Sequence, residues 1–462
     1  MTRLNKLAFF LITASVIFTT LIYGTVHPQI IAFFYVVTSL LALLWAADSL
    51  VTKTLRISRH PLQGPIFLLG VYALVQIIPF GSFSDSSGVA SIPLTISADP
   101  FATKLTALHI FALCIFFAAA LVFIESASRL RRIATVLSIF GFTYAFYAIL
   151  QSVLSPDAIY GIYKPQATPF GSFVNRNDFA AMILMLISVP LGLLFTGAVA
   201  RDKKLLFVIA IVVMATALFL SGSRGGLVAM FAEVVFLVIL TTRTKGKKNF
   251  VLKAALSLLL IVGAIAGAVF VGGETTLSRV SETAKEIDAP PETVSRFHMW
   301  GVTTKVIVDN LPFGAGLGAF PQVYSKFDTL GGYERVDQAH NDYLQILADA
   351  GIVGLILGGV FLFTFFRQGF ESARVANTFR KGIAVGAFAG CFAVLVHSMF
   401  DFVLHITAVS VMFITQLATL VASGREYKDD IRDFDDEKPK RRRRSASVTE
   451  LRRHNVAEAR TN

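Results

Sequence analysis

Charge is scarce in this chain of 462 residues: Asp, Glu, Lys and Arg together make up 16%, against about 25% in soluble globular domains. The charge that exists gathers in short gaps between long apolar blocks. That excludes the two or three soluble domains this length would otherwise allow. Cysteine is nearly absent. Cys114 and Cys391 are the only two, and both sit inside apolar blocks, so a disulfide scaffold is excluded. Alternation of polar and apolar residues over about ten positions is missing too, and with it an outer-membrane barrel. No internal repeat is visible. The first apolar block lacks a small-residue cleavage site and reads as a retained span.

What is abundant is apolar sequence, 55% of the residues, with a mean hydropathy of +0.66. Crossing a ~30 Å hydrocarbon core takes about 20 apolar residues of helix. That window finds spans near 7–23, 28–47, 62–80, 105–124, 130–153, 178–199, 204–221, 226–242 and 250–272. Three more follow near 344–366, 382–400 and 402–423. The last two form one apolar run roughly twice the membrane thickness, so it must fold back, with Asp401 at the turn. The fold class is therefore an all-α polytopic membrane protein of about 12 helices. Its parts are a nine-span region at 1–272, a loop at 273–343, a three-span region at 344–424 and a tail at 425–462.

Basic gaps orient the set. Lys53, Arg56 and Arg59; Arg129, Arg131 and Arg132; Arg201, Lys203 and Lys204; Arg243 to Lys248; and Arg367 to Lys381 fall in alternate gaps. This places both termini in the cytoplasm and the 273–343 loop outside, with an amphipathic surface helix expected at 292–310. Much of the +12 net charge is this topology signal. The Arg441–Arg444 cluster reads as a disordered cytoplasmic tail touching anionic membrane lipids, not as a nucleic-acid site.

Polar residues at membrane depth are costly, about 2.5–3.5 kcal/mol for a central charge, and several sit at the outer side. Ser221-Gly222-Ser223-Arg224-Gly225-Gly226 puts an arginine among glycines between two spans. It is either a tight turn with a snorkelling arginine or an anion site whose guanidinium forks onto phosphate oxygens. Gln338-Ala339-His340-Asn341-Asp342-Tyr343 opens the tenth span. A plain reading makes Asn341 or Asp342 an N-cap; a functional one makes His340 a proton acceptor, oriented by Asp337 or Asp342. Arg296 is a solvated surface residue unless other groups join it. Arg176 precedes Asn177 and Asp178, one of which is expected to cap the sixth span. His397, Asp401 and His405 share a helical spacing suited to a metal, but the turn at Asp401 breaks that face, and no metal is assigned. Glu233 lies inside the eighth span, about 13 Å of helix beyond Arg224, and is expected to be satisfied by a neighbouring helix.

SGSRGG at 221–226, Arg296 in the long loop and HNDYLQ at 340–345 together resemble the O-antigen ligase and polymerase family of bacterial envelope proteins. FVNRNDFA at 173–180 and ISADPFATK at 96–104 also resemble it. The resemblance implies an all-helical membrane glycosyltransferase (GT-C-like) fold in the bacterial inner membrane, with a periplasmic active site. It implies transfer of a glycan from undecaprenyl diphosphate to a hydroxyl acceptor without metal or other cofactor. By motif match Arg224, Arg296 and His340 would be catalytic; Arg176, Asn341 and Tyr343 are assigned to substrate. The chemistry is self-consistent: a sugar diphosphate carries its own leaving group, so arginines and one base suffice where a glycosidase needs two carboxyls. The acceptor stays open between lipid A–core, a second lipid-linked glycan and a protein side chain. Outside this class stand a glycan transporter and a non-catalytic assembly protein; a transporter should show ionisable residues near the midplane in two related halves.

Overall fold

The computed structural model describes residues 2–83, 92–242, 295–330 and 335–425, with scattered positions between 251 and 266. Its helices in chain order are α1 (Arg3–Leu21), α2 (Pro28–Thr52), α3 (Gln63–Gln76), α4 (Pro100–Phe123), α5 (Ala127–Leu154), α6 (Arg176–Thr196) and α7 (Lys204–Ser221). There follow α8 (Arg224–Thr242), α9 (Arg296–Asn310), α10 (Phe320–Phe327), α11 (Asp342–Ser372), α12 (Thr378–His397) and α13 (Thr407–Gly424). A short antiparallel hairpin, β1 (Gly81–Phe83) with β2 (Ile92–Leu94), follows α3. Among the described residues ten helices, all but α3, α9 and α10, are long and apolar enough to cross a membrane. This is a multi-pass all-α membrane protein.

Two of the twelve expected spans need comment. The span expected at 62–80 is the helix Gln63–Gln76, about 21 Å long at 1.5 Å per residue and short of a full crossing. It stops where the Gln76 side chain turns to bind loop backbone. Most of the span expected at 250–272, the whole 273–294 stretch and the tail after residue 425 lie outside the described residues. The surface helix expected at 292–310 is α9, which starts at Arg296.

Helices α6, α12 and α13 form the buried centre, while α2 and α11 leave most of their residues facing outward. Apolar side chains gain little from leaving lipid for protein, so close van der Waals packing must hold such helices together. Gly382, Gly386 and Gly390 repeat every fourth residue along α12 and let its backbone touch α6. A Cβ added to Gly192 would stand 2.4 Å from the Gly382 carbonyl oxygen. At the end of the bundle away from His340, Arg56 bridges Asp48 at 2.8 Å and also contacts Glu125. There Arg129, buried, donates to the Phe123 carbonyl and the Asn5 side chain.

Helix α11 is broken at Gly351, whose φ of +56° is outside the helical range. The glycine-rich stretch after α9 is inserted at the break. The Ile352 amide donates to the Pro312 carbonyl at 2.9 Å, the Ala315 amide to Ala348 at 2.8 Å and the Gly316 amide to Asp349 at 3.0 Å. Gln76 completes the joint, donating to the Phe313 and Asp349 carbonyls and accepting from the Leu317 amide. ISADPFATK packs against the same stretch: the Ala98 amide donates to Ala315, and Ser97 fills the space beside Gly316. Backbone groups freed by a broken helix must find partners away from water. The loop supplies them, and so fixes the span that begins next to His340.

Candidate active site

Four helix starts meet at one turn. Helix α6 begins at Arg176 because the Asn175 side chain accepts from the Asn177 amide at 2.9 Å. The cap is therefore Asn175, not Asn177 or Asp178 as the sequence suggested. Asn177 is left to donate its side-chain amide to Asp401. Helix α8 begins at Arg224 after a left-handed Gly222 (φ +65°), and Ser223 Oγ accepts from the Gly226 amide at 3.2 Å. Helix α9 is capped by Ser295, which makes Arg296 its first residue. Helix α11 is capped by Asn341, whose Oδ1 accepts from the Tyr343 and Leu344 amides.

The turn itself is residues 398–406, between α12 and α13, where the long apolar run folds back as expected. Asp401 sits at its centre, 1% exposed. Its Oδ1 accepts from the Phe402 amide at 3.0 Å and lies 2.9 Å from His340 Nδ1. Its Oδ2 accepts from Arg296 at 3.4 Å and from Asn177. Burial pushes this carboxyl up, but the His340 hydrogen bond and the charges of His340 and Arg296 outweigh it, so Asp401 is held below the ordinary carboxylate value. An ionised Asp401 is an acceptor only. It assigns the proton to His340 Nδ1 and leaves Nε2 as the lone-pair nitrogen. Among the described residues Nε2 has no hydrogen-bond partner, and the side chain is 28% exposed. Phe402 packs edge-on against the imidazole, with ring centroids 4.8 Å apart.

Neither Asp337 nor Asp342 orients His340. Asp337 pairs with Arg335 at 2.7 Å, and Asp342 accepts from His405 Nδ1 at 2.8 Å. The carboxylate that orients it is Asp401, which the sequence puts at the turn and at helical spacing from His397 and His405. Those three do not converge: Asp401 faces His340, and His405 faces Asp342. Among the described residues no three His, Cys, Asp or Glu side chains gather as metal ligands.

Arg224 is brought to the same turn. A Cβ on Gly225, the next residue, would lie 2.8 Å from the His397 ring and 3.1 Å from Phe400 Cβ, so α8 starts in contact with the end of α12. Arg224 and Arg176 are both partly exposed. Asn341 and Tyr343 have partners within the chain: Asn341 Nδ2 donates to the Met399 carbonyl at 3.0 Å, and the Tyr343 hydroxyl to Leu395 at 2.8 Å. Both brace the start of α11 against α12 and its turn. Glu233 differs from expectation, since among the described residues neither of its carboxyl oxygens has a hydrogen-bond partner.

The site thus joins an imidazole with one nitrogen fixed by a buried carboxylate to an arginine on that same carboxylate, with a second arginine on the adjoining helix start. Residues 209–358, from α7 into α11, match the family model of O-antigen ligase. That stretch, about a third of the chain, is similar to the O-antigen ligase family. It contains Arg224, Arg296 and His340, while Asn177 and Asp401 come from outside it. The match supports a ligase- or polymerase-type function in general. No curated protein matches the chain.

Proposed function

We propose that this chain transfers a glycan from undecaprenyl diphosphate to a hydroxyl acceptor at the periplasmic face of the bacterial inner membrane. His340 Nε2 takes the acceptor proton while the hydroxyl oxygen forms its bond to the anomeric carbon. The bond from that carbon to the diphosphate oxygen breaks, and its electron pair leaves with the polyprenyl diphosphate. Arg224 and Arg296 stabilise the charge growing on the departing group, and Arg176 adds a further contact. Asp401 holds the Nδ1–H tautomer and stabilises the imidazolium that forms, the role a buried carboxylate plays beside a general-base histidine. The displacement inverts the anomeric centre. Lipid A–core, a second lipid-linked glycan and a protein side chain are the competing acceptors.

The observation that carries this reading is the convergence on Asp401 of His340, 61 residues away in sequence, and Arg296, 105 residues away. Structural ion pairs on a membrane protein do not require a partly exposed imidazole whose second nitrogen has no hydrogen-bond partner among the described residues. The test is purified protein in lipid vesicles given undecaprenyl-diphosphate oligosaccharide and each acceptor in turn. One acceptor should gain the glycan, and His340→Ala should lose transfer while keeping its fold and insertion. Wild-type turnover in purified His340→Ala would reject the base; no transfer to any acceptor by the wild type would reject the activity.

A further inference from the structure

The start of α11 and the 398–406 turn are joined by more than the His340–Asp401 contact. The Asp342 amide donates to the Ser398 carbonyl at 2.9 Å and Asn341 Nδ2 to Met399 at 3.0 Å. The Asp342 carboxylate accepts from the Leu404 amide at 3.2 Å and from His405 Nδ1 at 2.8 Å. Two acid–histidine pairs therefore cross-link the same two segments in opposite senses. His340 is given by the helix start to Asp401, and His405 is given by the turn to Asp342. His340 itself sits at φ +49°, in the left-handed region. A non-glycine residue stays there only where its surroundings hold it. The Asp342–His405 pair lies two residues beyond that strained position and fastens it to the turn that carries Asp401.

We propose that His405 is a positioning residue for glycan transfer: by clamping Asp342 to the turn it keeps the His340 imidazole in register with Asp401. The proposal rests on the transferase reading above. It also gives His405 a charge-dependent effect. The His405 side chain is 39% exposed, so desolvation draws its ring down only weakly; the Asp342 hydrogen bond and the Asp342 and Asp349 charges of α11 outweigh it, and His405 is held above its ordinary value. The other groups around it are His109 on α4 and, from α6, Asp178, which acts on Asp342; α13 has no ionisable side chain. The sign follows from the raised value. The charged clamp is complete at and below the ordinary imidazole range and is lost as pH rises through His405's own titration. A neutral Nδ1–H bond remains, roughly half as strong.

Two variants test this. In His405→Asn the side-chain amide stands where Nδ1–H stood and cannot titrate; His405→Phe removes the donor. Wild-type kcat should fall about fivefold on the alkaline side. His405→Asn should run near that lower level across the range in which the wild type shows its alkaline step, without the step. His405→Phe should lose about 10- to 100-fold in kcat with KM nearly unchanged. A readout independent of turnover is the imidazole 15N spectrum of labelled protein in lipid nanodiscs, assigned through His340→Ala. The hydrogen-bonded Nδ1–H signal of His340 should persist in His405→Asn and broaden or vanish in His405→Phe. An unshifted alkaline limb in His405→Asn, or an intact His340 signal in folded His405→Phe, would overturn the clamp. A wild type inactive on every polyprenyl-diphosphate glycan, with a His340 signal still lost in His405→Phe, would remove the transferase reading while supporting the clamp.

Discussion

Replacing Asp401 by Asn is the most demanding perturbation of this site, because all the acceptor positions of the carboxylate are in use. Oδ1 faces the Phe402 amide and His340 Nδ1, while Oδ2 faces Asn177 and Arg296. An asparagine amide must turn its NH2 toward one of these pairs, so two donors then meet a donor. One buried donor without a partner costs about 1–3 kcal/mol. The larger loss is electrostatic. An imidazolium and a carboxylate with charge centres about 4 Å apart interact by about 4 kcal/mol at an effective dielectric of ~20. That stabilisation is felt once His340 has taken the acceptor proton, so it acts on the transition state more than on bound substrate. At 1.36 kcal/mol per tenfold, kcat in Asp401→Asn should drop by about 10³ with KM changing little. The assay is steady-state transfer from radiolabelled undecaprenyl-diphosphate oligosaccharide by reconstituted protein, with thermal unfolding to confirm the fold. A folded Asp401→Asn that retains kcat within about tenfold of wild type would refute the assigned role.

Arg224→Lys should lose about tenfold or more in kcat, because an ammonium cannot reproduce the two-pronged contact with phosphate oxygens; equal turnover of the two proteins would reject bidentate binding. Gly351→Ala should lower stability by about 3 kcal/mol or more, since a Cβ there would stand 2.2 Å from the Pro312 carbonyl oxygen at φ +56°. Unchanged melting in detergent would show that the α11 break tolerates a side chain. Acid should destabilise the wild type partly through Asp401. Its folded value is depressed, so the stability it contributes is full above the ordinary carboxylate value and is lost as pH falls through the depressed one. Melting measured between about pH 2 and 6 should therefore fall less steeply for Asp401→Asn than for wild type, and identical slopes would count against an ionised Asp401.

The membrane class, ten of the expected spans and the reversal at Asp401 were legible in the sequence because they depend on local composition and length. A helix of apolar residues in lipid satisfies its own backbone, and a run twice the membrane thickness has to turn. His340, Arg224 and Arg296 were legible as polar residues with no apolar role, sharpened by their motifs. Their partners were not. Asp401 lies in sequence far from His340, and its spacing from His397 and His405, already broken by the expected turn, pointed to none of its partners. Only the packing of α6, α8, α9 and α11 starts around that turn decided which acid takes which histidine. Glycines at 192, 225, 382 and 386 matter for the same reason, because they set how closely helix backbones approach and leave no local signature of which helix they meet. Local sequence fixes what must be buried and where the chain must reverse; contact between distant segments fixes which buried acid faces which imidazole.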